Sequence, residues 1–226
     1  MHGPLFSDGS FEFVPIWDKF NGSGVSNQTY GNTKGGLGER PLLSYFSENR
    51  QRKYRDIRLH LDPEFDTFTY GDPTPLKRRL RKLEKGDLLI FYAGLEGWRD
   101  YVCSPALYII GYFEVEKAGL ATDFSLIEIR EDFGKNFHVR HKLVFEDQQN
   151  RLVLVKGSKK SRLLRKAECI SVLGKDKRGR PIHILSPKMR KVFGDFDGHI
   201  SIQRSPPRWV YKEYVDKAAK FVRSLR

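Results

Sequence analysis

The sequence predicts an α+β fold, and three observations predict it. From Asp87 onward, apolar runs rich in β-branched and aromatic residues follow one another at strand length, while two stretches carry apolar residues at helical spacing. A hydrophobic content of 39%, with 16 Phe, 10 Tyr and 3 Trp in 226 residues, is ample for a packed core. No internal repeat and no low-complexity linker interrupts the chain, so one domain over residues 1–226 is expected. Consecutive strands with short connections suit an antiparallel barrel or sandwich.

The stretch SFEFVPI reads as a first strand, with Pro15 placing it at an edge or a strand end. The Gly, Ser and Asn-rich residues from Asn21 to Gly38 read as a long surface loop, and Pro41 to Arg55 as a short helix. Ile57, Leu59 and Leu61 alternate with Arg58 and His60, which predicts a brief strand. Asp72-Pro73-Thr74-Pro75 is a helix entry with Asp72 as its cap; Leu76, Leu80 and Leu83 then line one face of a basic helix that exits at Gly86. Six further strands are expected in LLIFY, LYIIGYFEV, FSLIEIR, HKLVFE, RLVLVKG and AECISVLG. The two helical pieces are Ser158 to Lys166, with Leu163 and Leu164 among bases, and Tyr211 to Leu225, with Tyr214, Ala218, Phe221, Val222 and Leu225 at helical spacing.

Charge narrows the function classes. The formal net charge is +13, and fourteen bases stand against two acids, Glu168 and Asp176, between Arg151 and Lys191. Further basic runs are Lys77, Arg78, Arg79, Arg81, Lys82 and Lys85, and Arg50, Arg52, Lys53, Arg55 and Arg58. Each run alone is a solvated face; together they favour a polyanion such as DNA or RNA, bound through its phosphates. Cys103 and Cys169 are too few for a disulfide framework or a Cys-rich zinc site, which suits a reducing cytoplasm. Neither a signal peptide nor an apolar run of membrane-spanning length is present, so no membrane partner is expected.

Four constellations could carry chemistry. Between the two central strands, Tyr92, Trp98 and Tyr101, beside Arg99 and Asp100, could stack on a flat base, the alternative being an anchor for the loop. In HLDPEFDTFTYGD, residues His60, Asp62, Glu64, Asp66 and Asp72 lie close in sequence. Asp62, Glu64 and Asp66 could hold Mg²⁺ for phosphodiester cleavage, but Pro63 interrupts the strand that would align them, and turn and capping roles are the plainer account. GSKKSR offers backbone amides with Lys159, Lys160, Arg162 and Arg165 around an expected helix start that could hold a phosphate, without the spacing of a P-loop. SIQRSPPRWV adds Arg204, Arg208 and Trp209, the last suited to packing under the final helix. Nucleophilic catalysis finds no Gly-X-Ser-X-Gly elbow, and His138 and His141, three apart in what reads as loop or strand, would face opposite ways.

The phrases GDLLIFYAGL and LYIIGYFEV resemble the PUA-like superfamily and its EVE and YTH relatives, which implies a PUA-like mixed β-barrel with flanking helices and a core at about residues 85–175. A longer resemblance, carried by GPLFSDGSFEFVPI, HLDPEFDTFTYGD, KGDLLIFYAGL, LYIIGYFEVE, VKGSKKSRLLRKAECIS and FDGHISIQRSPPRWV, is to the third of the nucleotide modification associated domain families. That resemblance implies a link to enzymes that hypermodify DNA bases; taken with the basic runs and the aromatic loop, the expected function is a nucleic-acid-binding protein that recognises a modified base in a base-modification or restriction system, beside a base-modifying enzyme and without a cofactor. The alternative is an enzyme of base modification, or a metal-dependent nuclease, using Asp62, Glu64 and Asp66. Members are expected to carry a further strand and a Gly-rich turn before GPLF, where this chain has only Met1 and His2, which leaves any ligand contact from that strand open.

Overall fold

The computed structural model describes residues 2–18, 27–37, 40–202 and 206–226. The fold is α+β, with helices beside a mixed sheet. The chain forms two compact units, each assembled from separate stretches of sequence: one from Met1–Phe11, Leu88–Tyr112 and Leu163–Arg226, the other from Glu12–Asp87 and Phe113–Arg162.

In the second of these units the central strand is β7 (Val153–Gly157), whose Val153, Leu154 and Val155 are fully buried. A strand covered on both faces reads as a continuous apolar run, as this one does. β7 pairs antiparallel with β4 (Thr69–Asp72) on one side and, on the other, with the later residues of β6 (Ala106–Leu120), with an irregularity between Val115 and Lys117. A separate antiparallel pair joins β2 (Ile16–Trp17) to β3 (Leu59–His60) and sets Ile16 opposite His60. Tyr30, Leu42, Leu43, Phe46 and Leu59 form one apolar cluster, closed by a 3₁₀ turn at Leu42–Tyr45 and helix α1 (Glu48–Tyr54).

Three helices follow β6: α2 (Leu126–Phe133), α3 (Phe137–Arg140) and α4 (Lys142–Gln148). The strands expected in FSLIEIR and HKLVFE are therefore corrected to helices. Ser125 accepts a hydrogen bond from the Glu128 N–H while the Glu128 carboxylate accepts from the Ser125 N–H, a reciprocal cap that outweighs the β-propensity of the isoleucines. Ile129 and Phe133, four apart, then bury against Leu152 and Leu154. In α4 the same spacing buries Val144 and Gln148 and leaves Leu143 69% exposed. The basic stretch before Gly86 is helical but 3₁₀, over Pro75–Lys82, and Asp72 Oδ1 accepts from the Thr74 N–H at its entry.

In the other unit, β1 (Gly3–Leu5) runs parallel to β5 (Leu88–Gly97), with Gly3 opposite Leu95 and Leu5 opposite Gly97, so the sheet is mixed rather than antiparallel throughout. SFEFVPI is not one strand: Phe11 makes a single bridge to Leu5, and only Ile16–Trp17 is extended in a pair. The helix expected over Ser158–Lys166 is a turn followed by strand β8 (Arg162–Cys169), which pairs with β6. Ser161 N–H donates to the Ser158 carbonyl and closes that turn, so Lys159 and Lys160 occupy a reversal and not a helix start. Strands β9 (Ser171–Lys175) and β10 (Pro181–Leu185) form a hairpin. Its turn is fixed by the Asp176 carboxylate, which accepts from the N–H groups of Arg178 and Arg180. Helix α5 (Pro187–Phe193) starts at Ser186, whose hydroxyl accepts from Met189 N–H, and the expected C-terminal helix is α6 (Lys212–Ser224), with Ala218 and Val222 buried and Phe221 edge-on to Phe193.

Candidate functional site

In the unit that contains β4 and β7, the segment from His60 to Glu64 leaves β3 and folds back on itself. Glu64 and Thr69 exchange backbone hydrogen bonds at 2.9 and 3.1 Å, and the Gly71 N–H donates to Asp62 Oδ1 at 3.1 Å. Gly71 is required by close approach: a Cβ there would lie 2.8 Å from Asn136 Oδ1 and 2.9 Å from His138 Cδ2. Asn136 caps α3, accepting from the His138 N–H at 3.1 Å and donating to Thr69 Oγ1 at 3.3 Å. Through these contacts α3 delivers His138 to Asp62.

The resulting cluster is compact. His138 Nε2 lies 3.8 Å and His60 Nε2 4.0 Å from the same carboxylate oxygen, Asp62 Oδ2. His60 stacks on the Phe137 ring with centroids 4.0 Å apart. His138 Nδ1 is 2.7 Å from Gln148 Oε1. An amide oxygen only accepts, so Nδ1 carries the proton and, in the neutral ring, Nε2 presents its lone pair toward Asp62. Glu64 Oε1 is buried without a hydrogen bond and lies 3.7 Å from Arg140 Nη1, a charge contact too long to be a hydrogen bond.

Burial governs the electrostatics. It pushes the Asp62 carboxyl up to about 6 against the opposing pull of His138 and the Gly71 N–H, and pushes Glu64 up to about 7 against Arg140. It holds the His60 imidazole down to about 3, helped by the positive groups His138 and Arg140. At His138 burial also disfavours the charged ring, but the nearby Asp62 carboxylate, with Gln148, outweighs it and raises that group. The cluster is thus two imidazoles facing one carboxylate, with a second carboxyl and a guanidinium beside it.

The match to known families spans this geometry and nearly everything around it: the model of nucleotide modification associated domain 3 covers residues 1–224. The chain belongs to that family. No curated protein and no solved structure matches the chain.

Of the residues the sequence singles out in this domain, His60, Asp62 and Glu64 lie in the cluster, and Asp66 is exposed. Sequence reasoning set His138 aside and missed Arg140 and Gln148 because their segment reads as loop or strand, whereas His138 stands on a helix; the available signal was Asn136, a helix-capping residue immediately before FHVRH. Lys159, Arg162 and Arg165 are exposed, and exposed Lys160 pairs with Glu114 at 3.2 Å. Trp98 and Tyr101 are half-buried and Arg99 exposed in the loop after β5, where the Tyr101 N–H donates to the Trp98 carbonyl. Tyr92, exposed, donates its hydroxyl to the Ile202 carbonyl at 2.7 Å. Arg208 reaches the Ser201 carbonyl at 3.4 Å, and Arg204 lies outside the described residues. Among the described residues no helix is long and apolar enough to cross a membrane.

Proposed function

We propose that the protein is an enzyme of a nucleotide-modification system that binds nucleic acid through its basic surface and acts on a nucleotide at the His60–Asp62–His138 cluster. The family's association with nucleotide modification supports the system. The observation that carries the enzymatic reading is the convergence of two imidazoles on one carboxylate oxygen, drawn from segments far apart in sequence. Burying histidines and carboxylates together costs free energy, and such arrangements concentrate at functional sites. DNA is the favoured substrate, with RNA as the other polyanion, and a cytoplasmic setting beside a base-modifying partner fits the family. The PUA-like core at about 85–175 belongs to the same reading.

A second reading is a module that recognises a modified base without changing it, favoured by half-buried Trp98 and Tyr101 next to exposed Arg99. One experiment separates the two. Duplexes with and without modified bases are incubated with the purified protein and digested, and the nucleosides are weighed by mass spectrometry. The enzymatic reading expects a change of nucleoside mass that Asp62→Asn abolishes while binding persists. Selective binding of modified DNA with no mass change, lost in Trp98→Ala, would establish the second reading instead.

A further inference from the structure

His60, Asp62 and His138 each offer a ligand atom, and these atoms all lie within 4.8 Å of one another. The two imidazole nitrogens stand 3.8 and 4.0 Å from Asp62 Oδ2, too far for hydrogen bonds. Two metal–ligand bonds of about 2.0–2.2 Å span about 3.3–3.6 Å at a tetrahedral angle, so one ion reaches all three atoms after side-chain rotations that close the cluster by up to about an ångström. The surrounding contacts orient the donors for that role. The Gly71 N–H occupies Asp62 Oδ1 and leaves Oδ2 toward the rings, while Gln148 Oε1 accepts from the His138 Nδ1–H and leaves the Nε2 lone pair to coordinate. An outer partner that fixes the tautomer of a ligating histidine is the recurrent arrangement at metal sites.

We propose that His60 Nε2, His138 Nε2 and the Asp62 carboxylate bind one divalent transition-metal ion of the Zn²⁺ and Fe²⁺ class, as a site with open coordination positions. Two neutral imidazoles select such ions over Mg²⁺ and Ca²⁺, which take oxygen ligands. Three protein ligands leave at least one position for water or substrate, the mark of a catalytic rather than a structural ion. The metal inference deepens the proposed function at the same site and rests on it only for what the ion acts upon.

The test needs no nucleic acid. The full-length, tag-free chain is stripped with a chelator and titrated with Zn²⁺ against a chromophoric competitor, and with Co²⁺ followed by its visible absorption. One equivalent of Zn²⁺ is expected to bind at or below micromolar concentration, with no competition from millimolar Mg²⁺. Co²⁺ should develop the absorption of a site of low coordination number containing nitrogen. Gln148→Ala should weaken binding about 10–100-fold. Asp62→Asn and His60→Ala should abolish the Co²⁺ spectrum while the far-ultraviolet circular dichroism is kept. Failure of the unmutated protein to bind stoichiometric Zn²⁺ or Co²⁺ overturns the proposal, whatever the variants do. Metal binding without nucleoside conversion would leave the site standing and remove the proposed reaction; conversion by metal-free protein would do the reverse.

Discussion

At the scale of single residues, the cluster depends on groups outside it. Gly71 is the clearest, because any side chain there meets Asn136 and His138, the cap of α3 and the ring it positions. Gly71→Ala is expected to destabilise by about 1–3 kcal/mol, the usual cost of overpacking a filled interior. A lower urea midpoint with an unchanged slope would be the measurement that agrees. In the sequence, the histidine and carboxylates of HLDPE are visible as neighbours, though turn and capping roles are their plainer reading there. His138 and Gln148 are not, since the contacts that unite them with Asp62 are made by folding and leave no spacing to read.

At the scale of elements, α2 shows how one local cap overrides a composition that favours strands. Replacing Ser125 by Ala removes the hydroxyl that accepts from the Glu128 N–H, and about 1 kcal/mol of stability should go with it. Glu128 also has a pH signature. Its carboxyl is held down to about 2 by the Lys117 ammonium first and the Ser125 N–H and hydroxyl next. A carboxyl depressed in the folded state contributes stability above its ordinary value, here 4.5, and that contribution disappears as pH falls through about 2. Glu128→Gln should therefore melt lower at neutral pH, and its melting temperature should decline less between pH 4.5 and 2 than that of the unmutated chain. Strands such as β7 were legible because burial on both faces writes a continuous apolar run. FSLIEIR and HKLVFE were misread because runs of that length fit a short helix equally well, and only caps and four-residue burial pairs separate the two.

At the scale of the molecule, charge makes its own prediction. If five or more phosphates are engaged, affinity for duplex DNA should fall by about two to four decades between about 50 and 200 mM salt. Replacing Lys159, Lys160, Arg162 and Arg165 by Ala should flatten that dependence. A flat dependence in the unmutated protein would count against a nucleic-acid surface. The α+β class was legible from composition and run lengths. The division into two units was hidden because each is discontinuous in sequence, so no shift of composition marks a boundary. The parallel pairing of β1 was equally hidden, since three residues carry too little pattern to announce a distant partner.

Gln148 is the last residue of α4, and helix ends are where backbone hydrogen bonds open most readily. The Arg151 and Leu152 N–H groups both donate to its carbonyl, while its side chain holds His138. Fraying of that final turn and loss of ring orientation are consequently one event, and the backbone there becomes a reporter. Amide hydrogen exchange at Arg151 and Leu152 should slow when anything occupies the His138 ring, giving a probe of the site that requires neither a substrate nor a known reaction.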